Sequence, residues 1–138
     1  MILSHLIHPE LIGALASAGH GSKVLLSDAN YPNITGANPQ AQRVWLNLAP
    51  GLLTVDQILE VLLTAVPFEA AEIMSPPEGI DVPAIDGYRT ALDGIPFSGH
   101  ERHDFYEQAR STDVAIVVAT GDQRLFANLL LTIGVRAT

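Results

Sequence analysis

The residues best equipped for chemistry are a histidine held between glycines, Gly19-His20-Gly21, and an acid a short way on, Asp28. Glycines on both sides remove two Cβ atoms from the turn and free the backbone to bend twice. Such a turn leaves an imidazole in the open. Between the two groups lies Val24-Leu25-Leu26-Ser27, a short run that fits a buried, parallel strand. Asp28 then falls at the carboxyl end of that strand, where open α/β sheets gather ligand-binding groups. An imidazole and a carboxylate in one crevice would be enough for general acid–base catalysis. The same residues also fit a plainer role. His20 can be part of a helix C-cap, and Asp28 can bond its own backbone in an ordinary turn.

Other motifs point to no chemistry of their own. His5 and His8, and His100 and His103, are each three apart, a spacing that two metal ligands on one helix face share. No third ligand joins either pair, and each lies by an expected helix start, so no metal is assigned. Gly19-His20-Gly21 lacks the further glycine and the Lys-Ser/Thr of a phosphate loop. No Gly-x-Ser-x-Gly elbow occurs, which leaves a serine hydrolase without support. Trp45 can stack on a sugar ring, or serve as core or interface. The prolines and acids of Pro76 to Asp86 are expected to form a solvated loop.

The elements that must position these groups follow from periodicity. Pro9 to Ala18 is expected to be a helix, with proline near its start and Gly19 at its end. Asn30 to Gln42 is a long polar loop directly after the acid, and long loops in small domains tend to be functional. Arg43 to Leu48 is expected as a strand. Thr54 to Val66 is the strongest helix, opened by the capping-box pair Thr54 and Gln57 and stopped by Pro67. Ala71 to Met74 should be a strand, Asp81 a cap for a helix from Ala84 to Leu92, and Phe97 to Gly99 a short strand. Arg102 to Ser111 should be a helix with Phe105 and Ala109 inward. Val114 to Ala119 is the clearest buried strand, and Thr120-Gly121-Asp122 breaks it. Leu129 to Ile133 fits a last strand, with helix as the alternative. Helices alternating with short buried strands give one α/β domain over residues 1–138 with a mostly parallel sheet.

Composition narrows the partners. A chain of 138 residues suits one core, and 48% of them are hydrophobic. That is more apolar surface than so short a chain covers by itself, which points to a homo-oligomer. The net charge is −8, with a single lysine, Lys23, so nucleic acid is excluded as a partner. There is no cysteine, which removes disulfides, thiol nucleophiles and zinc–thiolate sites. No apolar run reaches membrane-spanning length. The first ten residues have no signal-peptide pattern, and a cytoplasmic location is expected.

Taken in order, several of these motifs resemble the RbsD/FucU family of D-ribose pyranases and L-fucose mutarotases. They are Gly19-His20-Gly21, Ser27-Asp28-Ala29 with Pro32 after it, Arg102 with Phe105-Tyr106-Glu107, and Gly121 followed by Ala127-Asn128. The likeness runs from His8-Pro9-Glu10-Leu11 to Gly134-Val135. Gly21, Arg102 and the Phe-Tyr-Glu helix resemble the fucose branch more than the ribose branch.

The resemblance implies a three-layer α/β/α subunit in a decamer with sites at subunit boundaries. It implies cofactor-free interconversion of sugar anomers, and in some members of pyranose and furanose forms. By motif, His20 would be the catalytic acid–base residue. Asp28 would bind the sugar or hold the imidazole, and Arg102 would bind sugar hydroxyls. Phe126, Ala127 and Asn128 would close the site from a neighbouring subunit. Phe126 stands where the family usually has tyrosine. The residues read alone agree with this chemistry, since an imidazole exchanges protons in both directions near neutral pH and no metal or redox group is needed. Two rivals share the pocket. One is a sugar-binding or transport-accessory protein without turnover. The other is an isomerase or epimerase for a different small polyol or aldose.

Overall fold

Lys23–Ser27 and Val114–Ala119 carry too few polar residues to leave a face in water. Strands of that kind persist only with both faces covered. The computed structural model describes residues 1–138 and shows how they are covered. In chain order the elements are α1 (Pro9–Ala18), β1 (Lys23–Ser27), β2 (Gln42–Trp45), α2 (Val55–Leu62), β3 (Phe68–Met74), α3 (Pro83–Ala91), β4 (Phe97–His100), α4 (Arg102–Ala109), β5 (Val114–Ala119) and β6 (Leu129–Ile133). The six strands form one sheet in the order β2-β5-β1-β6-β3-β4. β1 and β2 pair with β5 in parallel, and so do β3 and β4 with each other. β6 alone is reversed, pairing antiparallel with β1 and with β3. The fold is the expected α/β, and Leu129–Ile133 is strand rather than helix.

Alternation along the strands separates two cores. Val24, Leu26, Ile116, Val118, Leu129 and Leu131 point to the face covered by α1, α2 and α3. Leu25, Val117, Leu130 and Met74 point to the other face, where Phe105 and Ala109 of α4 meet them. The loop after β1 finishes that second cover, with Tyr31, Ala37 and Ala41 buried in it. Beyond α4 the same face carries a polar row, in which Glu72 bonds both Lys23 Nζ (2.9 Å) and His100 Nε2 (2.8 Å).

Several boundaries differ from the pattern, for local reasons. α2 ends at Leu62, not Val66, because Thr64 and Ala65 donate to carbonyls three residues back and tighten the last turn before Pro67. Its capping box is formed as expected, by Thr54 and Gln57. α3 is entered from Val82 with no side-chain cap, so Asp81 does not cap it; Pro83 at the first turn presets the backbone instead. β2 stops at Trp45, on the sheet edge, with Trp45 half exposed. β3 starts earlier, at Phe68, with an irregularity between Phe68 and Ala70. His8 is the N-cap of α1, its Nδ1 accepting from the Leu11 amide at 3.2 Å.

Candidate active site

The parallel strands all run toward one edge of the sheet, and β6 starts there. Five groups therefore converge at that edge: Asp28 after β1, Met74 ending β3, Arg102 after β4, Asp122 after β5 and Asn128 before β6. A cleft of about 230 Å³ opens among four of them, with Asp122 outside it, and is lined by Asp28, Asn30, Tyr31, Met74, Arg102, Tyr106, Leu125, Phe126 and Asn128. That volume equals about eight waters, enough for one small molecule.

Asp28 and Asn128 form the polar base of the cleft, and both are nearly buried, at 5% and 3% exposure. The Asp28 amide donates to Asn128 Oδ1 at 2.7 Å, and Asn128 Nδ2 donates to Asp28 Oδ2 at 3.1 Å. The Asn30 amide donates to Asp28 Oδ1 at 2.9 Å. Burial disfavours the Asp28 anion most strongly, and the Asp122 carboxylate adds to that effect. The bonds from Asn30, Tyr31 and Asn128 oppose it and are outweighed, so Asp28 titrates above the ordinary carboxylate range. A carboxyl displaced in that direction is a better proton donor near neutral pH.

One wall is α4. Arg102 and Tyr106 are four residues apart and share a helix face, with Arg102 Nε donating to the Tyr106 hydroxyl at 3.2 Å. Arg102 makes no salt bridge, so its two Nη groups are left for a ligand. Tyr31 packs edge-on against Phe105 and Tyr106, and its hydroxyl is committed to the Gly36 carbonyl at 2.6 Å. The loop that holds Tyr31 is fixed by Arg43, whose guanidinium donates to the carbonyls of Asn33, Ile34, Asn38, Pro39 and Ala41. Leu125 and Phe126 give the cleft an apolar wall. Phe126 sits at φ 60, the one side-chain-bearing residue at positive φ.

The structure brings Asp28, Arg102, Phe126 and Asn128 together within one chain. Phe126 and Asn128 thus line a cleft of their own chain. Ala127 lines nothing. It is fully buried, and its carbonyl accepts from the Tyr88 hydroxyl at 2.7 Å.

His20 is not in this cleft. The turn precedes β1 and Asp28 follows it, so a five-residue strand, about 17 Å long, lies between them and puts them at opposite ends. The expected shared crevice does not exist within one chain. Gly19 and Gly21 take φ 83 and φ 84, which only glycine adopts freely, and the imidazole between them is exposed as expected. Its Nε2 lies 3.1 Å from both oxygens of Glu69. Sequence reasoning passed over Glu69, because the irregularity at the start of β3 sets which way it faces. Tyr106 was noticed only as part of the Phe-Tyr-Glu motif and given no role, although its spacing from Arg102 signals a shared face.

The sequence model of the RbsD / FucU transport protein family matches residues 1–136. The chain belongs to the RbsD/FucU family. Within it, the fucose mutarotase of Bos taurus is 35% identical, the match covering 96% of this chain and 91% of that one. The D-ribose pyranase of Paracidovorax citrulli is 31% identical, covering 94% of this chain and 95% of its own length. Among solved RbsD/FucU folds, the fucose mutarotase of Streptococcus pneumoniae in complex with L-fucose superposes with a TM-score of 0.81, at 27% identity over 95% of both chains.

Proposed function

We propose that this chain is a sugar mutarotase, interconverting the anomers of a free monosaccharide with L-fucose as the first candidate substrate. The observation that carries the reading is the buried Asp28 carboxyl, gripped by Asn128 and displaced toward its protonated form, in a cleft that also offers a guanidinium and a phenolic hydroxyl. Relatives named fucose mutarotase support the activity, and the relative named D-ribose pyranase marks the second sugar to test.

The reaction needs few parts. A proton must reach the ring oxygen of the cyclic hemiacetal while another leaves the anomeric hydroxyl. The open aldehyde then rotates about C1–C2 and closes to the other anomer. Asp28 is suited to one transfer. Arg102 and Tyr106 can hold sugar hydroxyls, and Leu125 with Phe126 can cover the apolar side of the ring. His20 is the acid–base group of this proposal, and its position requires that it serve the cleft of a neighbouring copy. The closed homo-oligomer, with ten copies suggested by the family, is therefore part of the same proposal, as is a cytoplasmic location. No metal or organic cofactor enters.

Phe126 favours one rival, a sugar-binding protein with no turnover, because it offers no hydroxyl to the ring. Saturation-transfer NMR on L-fucose, D-ribose and a panel of other free sugars tests both. Exchange between anomers well above the spontaneous rate is expected, strongest for one sugar. Saturable binding without added exchange would favour the binder, and neither binding nor exchange would end the proposal.

A further inference from the structure

The loop from β5 to β6 is bolted at a point outside the cleft. Asp122, only 1% exposed, accepts from Arg124 Nε at 2.9 Å, Arg124 Nη2 at 2.6 Å and the Val55 amide at 3.0 Å, the last being the first residue of α2. Arg124 Nη2 also bonds Asp56 of α2. The backbone of Asp122 reaches the other way, its carbonyl accepting from the amide of Ala29, next to Asp28, at 2.7 Å. The guanidinium thus ties the loop to α2, and the Asp122 backbone ties the loop to the residue that follows the cleft acid.

Directly after Arg124 come Leu125 and Phe126, the apolar wall. Phe126 holds a positive φ that phenylalanine disfavours on its own, and such a conformation persists only where its surroundings fix it. Its far side is fixed by the Ala127 carbonyl bond to Tyr88 and by the Asn128–Asp28 pair. Its near side is held by the Arg124 amide, which donates to Asp122 Oδ1 at 3.1 Å, and by the bridge through the Arg124 guanidinium, which alone ties it to α2 through a side chain's charge. We propose that the Asp56–Arg124–Asp122 bridge is a positioning device for the cleft, keeping Leu125 and Phe126 in place as the wall against the sugar. None of the three touches the ligand space, so each is a positioning residue. A wall that contacts the ring equally before and during ring opening contributes uniform binding, so its displacement acts on KM more than on kcat.

The inference rests on the reading of the cleft as the sugar site, and two measurements separate the two. Parent, Arg124→Ala, Arg124→Lys and Asp56→Asn proteins are compared by anomer exchange on L-fucose and by hydrogen–deuterium exchange mass spectrometry without sugar. Arg124→Ala should raise KM by about tenfold to a hundredfold with kcat nearly kept. Peptides over residues 120–128 should exchange faster, and those of β1 and β3 at the parent rate. Arg124→Lys should recover part of both effects, since an ammonium meets one carboxylate well but not two in a fork. Asp56 is on the surface of α2, so Asp56→Asn weakens the bridge without leaving a buried charge unpaired, and serves if Arg124→Ala does not fold. Unchanged KM and unchanged loop exchange in the variants would overturn the proposal, as would protection lost evenly across the sheet. If the parent shows no exchange of L-fucose, D-ribose or any other sugar of the panel, the functional reading fails, and the loop peptides still decide the bridge.

Discussion

Asn128 holds Asp28 twice, accepting from its backbone amide and donating to its carboxylate. The two residues are a hundred positions apart, and the pair closes the end of β1 against the start of β6. The double grip fixes the carboxyl's orientation as well as its place. Asn128→Ala should leave the buried Asp28 amide without an acceptor, at a cost of about 1–3 kcal/mol. An unfolding free energy lowered by that amount, read from a shifted denaturant midpoint, with anomer exchange reduced by at least about tenfold, is the expected result. An unchanged midpoint would mean that water or another group satisfies the amide.

The raised titration of Asp28 has a sign that can be checked. Between its unfolded value, near 3.9, and its higher folded value, the folded state keeps a proton that the unfolded state has released. Stability from this group is full below that window and is lost as pH rises through it. Asp28→Asn does not titrate. Its melting temperature relative to the parent should therefore improve from acid to neutral pH. Asp122 behaves oppositely. Burial raises its titration, but the bonds from Arg124 and the Val55 amide prevail and lower it, so its contribution is lost as pH falls. An Asp28→Asn difference that is flat across the carboxylate range would contradict the burial account.

The distance between His20 and Asp28 predicts complementation. His20→Ala should fold, since the side chain is exposed, and should lose about 10²- to 10⁴-fold in exchange. Asp28→Ala should be similarly poor. Co-expressed in equal amounts, the two should regain about a quarter of the parent's sites, each built from one intact acid and one intact imidazole of another copy. Absence of any recovery, or full activity in a protein that light scattering shows to be a monomer, would refute the shared site.

Phe126→Tyr should raise the exchange rate several-fold. The ring already lines the cleft, and a hydroxyl there can meet a sugar oxygen. One such bond contributes about 0.5–1.5 kcal/mol, or up to about tenfold in rate if made mainly in the transition state. An inactive parent with a strongly active variant would favour the binder. No gain over an active parent would show that the hydroxyl is dispensable.

Local signals in the chain carried far. Glycines around His20 announced an exposed turn, Thr54 with Gln57 announced a helix start, and the apolar run before Asp28 put that acid at a strand end. Non-local facts were silent. Strand direction is not written in composition, so the reversal of β6 could not be read, and with it the meeting of Asp28 and Asn128 in one chain. The separation of His20 from Asp28 was present in the sequence, since a strand lies between them, but nearness along the chain suggested nearness in space. Glu69 depends on an irregular strand start, and the Arg124 bridge on the approach of α2. Neither leaves a periodic trace.

β1 is the hub of the sheet, yet both of its neighbours, β5 and β6, come from residues 114–133. Nothing made earlier can pair with it. During synthesis the Leu25 and Leu26 backbone must wait, unpaired, until Val117 and Val118 of β5 have left the ribosome, and its second edge waits for Leu129 and Leu130 of β6. Non-local pairing of this kind slows folding and exposes apolar strands to aggregation meanwhile. α1 on one face of β1, and Tyr31, Ala37 and Ala41 of the following loop on the other, are the earliest groups able to shield it. Truncations that stop before β6 are therefore expected to aggregate rather than to accumulate as a soluble, partly folded chain.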